Sequence, residues 1–212
     1  MTDDEAGAPG VLRYVALGDS YTIGTATRSS DERWPDQLVA WLGPEPPTLR
    51  LVANLGVNGW TSGDVIRDQL PPLDGLRPGF ASLLVGVNDV VQRVPLDAYR
   101  ANAAVILDAL RARLPANRIV AVSTPDYTVT PAGADYGDPA TQAAGIRRVN
   151  ETLRALAAER HIAFVDIHDV SLGAASDRTL VADDGLHPSG VQYARWVDRI
   201  GPAVAQLLGR PA

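Results

Sequence analysis

Three side chains of this sequence have the types that acyl transfer by a serine nucleophile requires. Ser20 offers a hydroxyl, which is a weak nucleophile until a base removes its proton. His187 can take that proton and return it to a leaving group, because imidazole titrates near neutral pH. Asp184, three residues before His187, can hold the other ring nitrogen and fix the tautomer, and Asp183 is the alternative for this role. The set predicts a Ser–His–Asp catalytic triad.

The tetrahedral intermediate of acyl transfer carries negative charge, and the sequence offers three hydrogen-bond donors for it. They are the backbone N–H of Ser20, the backbone N–H of Gly56, where the missing side chain permits close approach, and the side-chain amide of Asn88. We expect these groups to form an oxyanion hole. Structural roles compete with two of the assignments, because Ser20 could be a helix N-cap and Asn88 a turn residue that bonds its own backbone.

Four further residues are candidates for contact with a substrate. Trp60, Tyr127 and Tyr136 follow predicted strands two and four, where aromatic rings could form a surface at the mouth of a pocket. Ordinary packing beneath a loop explains these three positions equally well. Asp19, directly before Ser20, is the fourth candidate.

Short apolar segments alternate with amphipathic helical segments along the whole chain. Strand-like runs cover residues 11–17, 49–53, 80–85, 118–122 and 162–165. Helical patterns cover residues 35–42, 62–70, 95–114 and 140–160, and a last helix begins at Pro188 or Ser189, with Gly201-Pro202 expected to bend or break it. This alternation predicts an α/β fold, a flavodoxin-like three-layer α/β/α sandwich around a five-stranded parallel sheet.

The candidate catalytic groups all follow predicted strands. Gly18-Asp19-Ser20 follows the first strand, Asn54-Leu55-Gly56 the second, Gly86-Val87-Asn88-Asp89 the third, and Asp184-Gly185-Leu186-His187 the fifth strand and its loop. Ligands of open α/β sheets bind beyond the carboxyl ends of the strands, where the strand order reverses. Taken singly, each motif is weak evidence, so their joint placement on one sheet edge carries the prediction.

The composition limits the function classes. With 212 residues and 46% hydrophobic content, we expect a disordered arm at residues 1–10 and a single globular domain at residues 11–210. The net charge of −6 argues against nucleic acid and anionic membrane surfaces as partners. All 19 basic residues are Arg and there is no Cys, which excludes Schiff-base lysines, cysteine nucleophiles and thiolate metal sites.

No cofactor or metal ion is expected. The sequence lacks the G-x-G-x-x-G, H-E-x-x-H and G-x-S-x-G patterns of dinucleotide-binding proteins, zinc proteases and α/β-hydrolases. His168 lies beside Asp166 and Asp169, but a metal site would want two spaced histidines or three convergent carboxylates. The first apolar run is too short and wrongly flanked for a signal peptide, so we expect a soluble cytoplasmic protein without stable membrane insertion.

Taken together, these motifs resemble the conserved blocks of the SGNH, or GDSL, hydrolase family. The blocks are Gly18-Asp19-Ser20, Gly56, Gly86-x-Asn88-Asp89 and Asp184-x-x-His187, and the resemblance spans residues 11–200. It implies a flavodoxin-like fold, a triad of Ser20, Asp184 and His187, and an oxyanion hole that includes Gly56 and Asn88. Members of the family include esterases, thioesterases, lysophospholipases, arylesterases and carbohydrate deacetylases.

We therefore expect a metal-independent serine hydrolase that cleaves a carboxylic ester or thioester of a small molecule through an acyl-enzyme. Two alternatives use the same triad, namely carbohydrate O-deacetylation and acyl transfer to an alcohol. A third alternative, from another class, is a non-catalytic flavodoxin-like binding module. The sequence leaves the acyl chain, the leaving group and the oligomeric state open.

Overall fold

A five-stranded, all-parallel β-sheet forms the centre of the computed structural model, which describes residues 10–210. The predicted arm at residues 1–10 therefore lies, apart from Gly10, outside the described residues. The strands are β1 (Val11–Gly18), β2 (Thr48–Asn54), β3 (Phe80–Leu84), β4 (Ile119–Val122) and β5 (Ala163–Val165), in the order β2-β1-β3-β4-β5. The inner strands β3 and β4 are buried along their whole length, as expected for parallel strands covered on both faces. The predicted five-stranded parallel sheet is confirmed.

Helices follow the strands and cover both faces of the sheet. They are α1 (Ser20–Ile23), α2 (Trp34–Leu42), α3 (Ser62–Asp64), α4 (Leu73–Leu76), α5 (Val87–Val91), α6 (Leu96–Arg111), α7 (Pro139–Glu159), α8 (His168–Ser171) and α9 (Gly190–Leu207). Single turns of 3₁₀-helix lie in the loops, at Tyr127–Val129 and Gly133–Tyr136 among others. No helix within residues 10–210 is both long and apolar enough to cross a membrane.

Two hydrophobic cores join the helices to the sheet. On one face, α2 and α9 pack against inward-facing side chains of β1, β3 and β4, with Trp34 and Trp196 as the largest buried side chains. On the other face, α6 and α7 pack against the alternate residues of the same strands. Successive strand residues point to opposite faces, so each inner strand contributes to both cores. The result is the predicted three-layer α/β/α sandwich.

Two helices differ from the sequence-based expectation. Residues 62–70, predicted as one helix, form the short α3 followed by a π-helical turn at Val65–Gln69. The predicted bend or break at Gly201-Pro202 does not end α9, which continues to Leu207. Gly201 lies against the Trp41 ring, where an added Cβ would lie 2.6 Å from ring carbons, so this glycine permits close packing of α2 on α9.

The strand order creates an open crevice at one edge of the sheet. The chain leaves β1 toward β2 on one side, whereas β3 pairs with β1 on the other side. The loops that follow β1 and β3 therefore diverge to opposite faces, as at the switch point of a flavodoxin-like sheet. Gly18 and Leu84 pair at the ends of these strands, so Ser20 and Asn88 both begin at this crevice.

Candidate active site

The turn after β1 holds Ser20 at the start of a short helix. Gly18 adopts a φ of 152°, and an added Cβ there would lie 2.2 Å from the Leu84 carbonyl oxygen. Gln69 fixes this glycine by accepting from its N–H at 2.9 Å and donating to its carbonyl at 2.7 Å. Asp19, whose side chain accepts from the Tyr21 N–H at 3.0 Å, is the N-cap of α1. The N-cap alternative for Ser20 is therefore wrong.

The loop before α9 holds His187 next to Asp184. Asp184 Oδ2 lies 2.6 Å from His187 Nδ1, and Asp184 Oδ1 accepts from the backbone N–H groups of Leu186 and His187, both at 2.9 Å. Burial alone would raise the pKa of Asp184, but the hydrogen bonds from the His187 ring and the two N–H groups lower it overall. Asp184 is thus an ionised acceptor for the ring. Asp183 instead lines a different cleft, which shares no lining residue with the cavity of Ser20 and His187.

Ser20, Asn88 and His187 line one open cavity of about 210 Å³ at the crevice. Tyr127 and Tyr136 form part of its wall, with their rings in an edge-to-face contact at 5.8 Å between centroids. The Tyr21 ring lies 5.6 Å from the His187 ring. No hydrogen bond joins Ser20 Oγ to His187 among the described residues, and such bonds are often long before substrate binds. The cavity thus brings together residues from five separate segments that follow the five strands.

Two of the predicted oxyanion donors are available at this cavity. Asn88 Nδ2 donates one hydrogen to the Trp60 carbonyl oxygen at 2.9 Å, and its second hydrogen remains for a ligand. The Ser20 N–H has no hydrogen-bond partner within the described range, as expected at the first turn of a helix. Asn88 does not bond its own backbone with this amide, so the turn-residue alternative is wrong.

Gly56 is placed differently from the expectation. It is buried, it is not part of the cavity wall, and its N–H donates to Asn54 Oδ1 at 3.1 Å. An added Cβ would lie 2.5 Å from the Ile23 nitrogen and 2.7 Å from the Asp19 carbonyl oxygen. The absence of a side chain at Gly56 therefore lets the loop after β2 pack directly on the α1 backbone.

Two of the predicted substrate-contact residues, Asp19 and Trp60, do not line the cavity. Asp19 is fully buried, because its carboxylate turns inward to cap α1, and it does not line the cavity. Burial is the main cause that raises its pKa to about 8, opposed by the Tyr21 N–H and reinforced by the nearby charge of Asp89. The Trp60 side chain is also outside the cavity wall, but its backbone carbonyl holds the Asn88 amide.

Several residues of the cavity wall were not singled out as catalytic or contact candidates. They are Tyr21, Asn58, Gly59, Val87, Val91 and Leu186. Each lies within a few residues of Ser20, Asn88, His187 or Gly56, and this closeness to a motif is the signal by which the sequence could have indicated them. Asp89, next to Asn88, makes a supporting contact. The buried carboxylate of Asp89 accepts from the Ser62 N–H at 2.9 Å and from its hydroxyl at 2.5 Å, which joins the start of α3 to α5.

His168 does not take part in a metal-binding group. Its Nε2 lies 3.6 Å from Asp126 Oδ2, beneath the loop that carries Tyr127. In the part of the chain that the structure describes, no group of three or more His, Asp or Glu side chains could hold a metal ion.

Comparison with known proteins gives a family and a set of similar folds. The model of the GDSL-like lipase/acylhydrolase family matches residues 16–195. A comparison with curated protein sequences finds no match. Among solved structures, the chain is similar to a catalytic mutant of Axe2, an acetylxylan esterase from Geobacillus stearothermophilus, at 20% identity and a TM-score of 0.68, with 96% of each chain covered.

Two further solved structures have similar folds. LAE5, an alpha/beta hydrolase enzyme from the metagenome of Lake Arreo, Spain, is 21% identical with a TM-score of 0.69, over 93% of this chain and 95% of that one. TesA is 18% identical with a TM-score of 0.68, over 92% of this chain and 99% of that one. At these identities the likeness concerns the fold.

Proposed function

Because the chain belongs to the GDSL-like lipase/acylhydrolase family, we propose that this hydrolase is a serine esterase that cleaves small carboxylic esters through an acyl-enzyme. The observation that carries the proposal is the single cavity lined by Ser20, Asn88 and His187, with Asp184 bonded to the His187 ring behind it. These groups match the needs of acyl transfer in type and in position.

The proposed reaction begins with attack of Ser20 Oγ on the ester carbonyl carbon. His187 Nε2 takes the hydroxyl proton, while Asp184 holds Nδ1–H and stabilises the imidazolium that forms. The C–O bond to the leaving group then breaks, and His187 gives the proton to the departing alcohol. Water attacks the acyl-enzyme with the same proton transfers, releasing the carboxylic acid and restoring Ser20.

The negative charge on the carbonyl oxygen requires donors that are already in place. The proposed donors are the Ser20 N–H and the Asn88 amide, which have unused hydrogens at the cavity. Gly56 is the third proposed donor. Its N–H is held by Asn54 Oδ1 at 3.1 Å, so it would contribute only if the Asn54 side chain shares or releases that hydrogen when substrate binds.

The cavity favours a small acyl group. Its volume of about 210 Å³ lies below the range of roughly 300–1,000 Å³ for drug-sized ligands and above a cavity of about 150 Å³ that holds benzene. Val87, Val91 and Leu186 give it apolar walls, and none of its lining residues is Arg or an acidic residue. A neutral acyl group between acetyl and benzoyl in size fits these walls.

A series of 4-nitrophenyl esters tests the proposed function. We expect kcat/KM to be highest for acyl chains of about two to four carbons and to fall by about tenfold or more for chains of ten carbons, which exceed the cavity. Steady-state release of 4-nitrophenol measures this, with acetyl-CoA as the thioester comparison. Two results would contradict the proposal: a protein that hydrolyses none of these esters, or a kcat/KM that rises steadily up to the longest acyl group.

Replacement of Asn88 with alanine tests the oxyanion hole. Loss of one donor should lower kcat by about 10² to 10³ with little change in folding. Gln92→Ala is the matched control, because Gln92 Nε2 donates to the Gly59 carbonyl at 2.7 Å yet lies outside the cavity wall. Equal losses in the two variants would indicate that Asn88 acts only by holding the loop at residues 57–61.

Carbohydrate O-deacetylation by the same residues is a second candidate. Axe2 is an acetylxylan esterase, and the small cavity suits an acetyl group. Tyr136, a cavity-wall residue that is 44% exposed, provides an aromatic surface for a bulky leaving group. Release of acetate from acetylated oligosaccharides, relative to 4-nitrophenyl acetate, separates the two candidates.

A further inference from the structure

A second cavity, of about 370 Å³, lies beside the catalytic one; we call it the arginine cleft. It lies between the end of α5 with its following loop and the first turns of α7. Val90 and Gly137 line the arginine cleft, whereas their chain neighbours Val91 and Tyr136 line the catalytic cavity. At these two points adjacent residues of the chain line the two cavities.

The arginine cleft carries unpaired positive charge. Arg93 and Arg148 both line it, and neither side chain has an ion pair or hydrogen bond with any residue in the range 10–210. Asp138 also lines the cleft, but its carboxylate caps α7 by accepting from the Thr141 N–H at 2.8 Å and from its hydroxyl at 2.6 Å. The cleft therefore holds two guanidinium groups and one carboxylate, and that carboxylate already accepts hydrogen bonds from Thr141. Its net charge is positive, although the whole chain has a net charge of −6.

The floor of the cleft is apolar. Val90, Val94, Leu96 and Val149 supply it, and the Leu96 residue is 38% exposed. Gly145 lies where an added Cβ would be 2.5 Å from Val90 Cγ1, so α7 packs directly on α5. Such a floor suits the carbon skeleton of a ligand whose charged end reaches the arginines.

A buried amide links the cleft to the catalytic cavity. Gln142 lines the cleft, is 8% exposed, and donates from Nε2 to the Tyr136 carbonyl oxygen at 3.2 Å. Its Oε1 is buried and has no hydrogen-bond partner within the described residues. A buried acceptor without a partner is costly, and a hydroxyl or N–H of a bound ligand would satisfy it.

From this juxtaposition we propose that the arginine cleft binds an anionic group, a carboxylate or a phosphate, on the leaving-group part of the substrate. The inference rests on the proposed esterase function. The acyl group occupies the catalytic cavity, the leaving group crosses the exposed rim at Tyr136, and the anion meets the planar guanidinium groups of Arg93 and Arg148, which suit carboxylate and phosphate.

A matched pair of esters tests the proposal, namely 4-(3-carboxypropyl)phenyl acetate and its neutral N,N-dimethylamide, which has no N–H to offer Gln142 Oε1. We expect kcat/KM for the carboxylate to exceed that for the amide by about tenfold at low salt, and less in 1 M NaCl. In the Arg93→Gln/Arg148→Gln double variant the ratio should fall to about one. Arg147→Gln is the control, because Arg147 is an exposed neighbour on α7 outside the cleft and should leave the ratio unchanged.

The same experiment is repeated with a phosphate in place of the carboxylate on the same spacer. The anion with the larger kcat/KM relative to the neutral ester is the one that the cleft prefers. Calorimetric titration of 4-phenylbutyrate into the protein gives a readout that needs no catalysis, with binding at least about threefold weaker in the double variant. Arginine-dependent binding without any ester hydrolysis would overturn the esterase function and keep the anion site. Two results would overturn the site. One is ester hydrolysis in which the anionic and neutral esters have the same kcat/KM, for both the carboxylate and the phosphate. The other is an anion preference that Arg147→Gln lowers as much as the double variant does.

Discussion

Replacing Ser20 with alanine should abolish ester hydrolysis, with kcat falling by about 10⁶-fold. Without the hydroxyl no acyl-enzyme can form, and the remaining hydrogen-bond donors give only a small rate above that of water. The fold should survive, because Asp19 rather than Ser20 caps α1 and alanine favours a helix. Hydrolysis of 4-nitrophenyl acetate and thermal unfolding of the same preparation measure the two effects.

Covalent labelling separates this result from a general loss of activity. A fluorophosphonate should label the wild-type chain once, at Ser20, and should fail to label the Ser20→Ala variant. Ser30→Ala is a suitable control, because Ser30 is exposed and lies outside the cavity wall. Labelling that persists in Ser20→Ala and maps to another serine would refute Ser20 as the nucleophile.

The sheet and its layers could be predicted from the sequence because burial imposes a pattern on every strand. Segments such as Phe80–Leu84 are apolar throughout, which is typical of a strand covered on both faces. Helices such as Leu96–Arg111 carry a regular apolar stripe instead. Both signals extend over many residues, so they place the elements to within a few positions. The order of motifs along the chain then placed them on one edge of the sheet.

Side-chain direction in short loops could not be predicted in the same way. Asp19 and Ser20 are adjacent, yet the Asp19 carboxylate turns inward to cap α1 while Ser20 lines the cavity. Gly56 belongs to a recognised block, but contacts with Ile23 and Asp19 explain its missing side chain. These outcomes depend on which backbone groups lie nearby after folding, and no periodic pattern in a two- or three-residue turn carries that information.

Replacing Asp184 with asparagine should lower kcat by about 10⁴-fold. Asparagine can still accept the Leu186 and His187 N–H bonds through its oxygen, so the loop should keep its shape. Its amide nitrogen would face His187 Nδ1 with a donor, which favours the tautomer that carries the proton on Nε2. That tautomer cannot accept the Ser20 proton. Kinetics with 4-nitrophenyl acetate measure the loss.

The same substitution has a stability signature with a definite sign. The pKa of Asp184 is lowered in the folded chain, so its ionised form adds stability above the unfolded value of about 3.9 and loses it as pH falls toward the folded value. The difference in urea stability between wild type and Asp184→Asn should therefore shrink below about pH 4.

Asp183→Asn is the matched control for the loss of activity. The Asp183 carboxylate lies outside the cavity of Ser20 and His187, so this substitution should leave kcat nearly unchanged. If Asp183→Asn instead loses the greater activity, the orienting acceptor is Asp183, and the observed Asp184–His187 bond does not belong to the reactive arrangement.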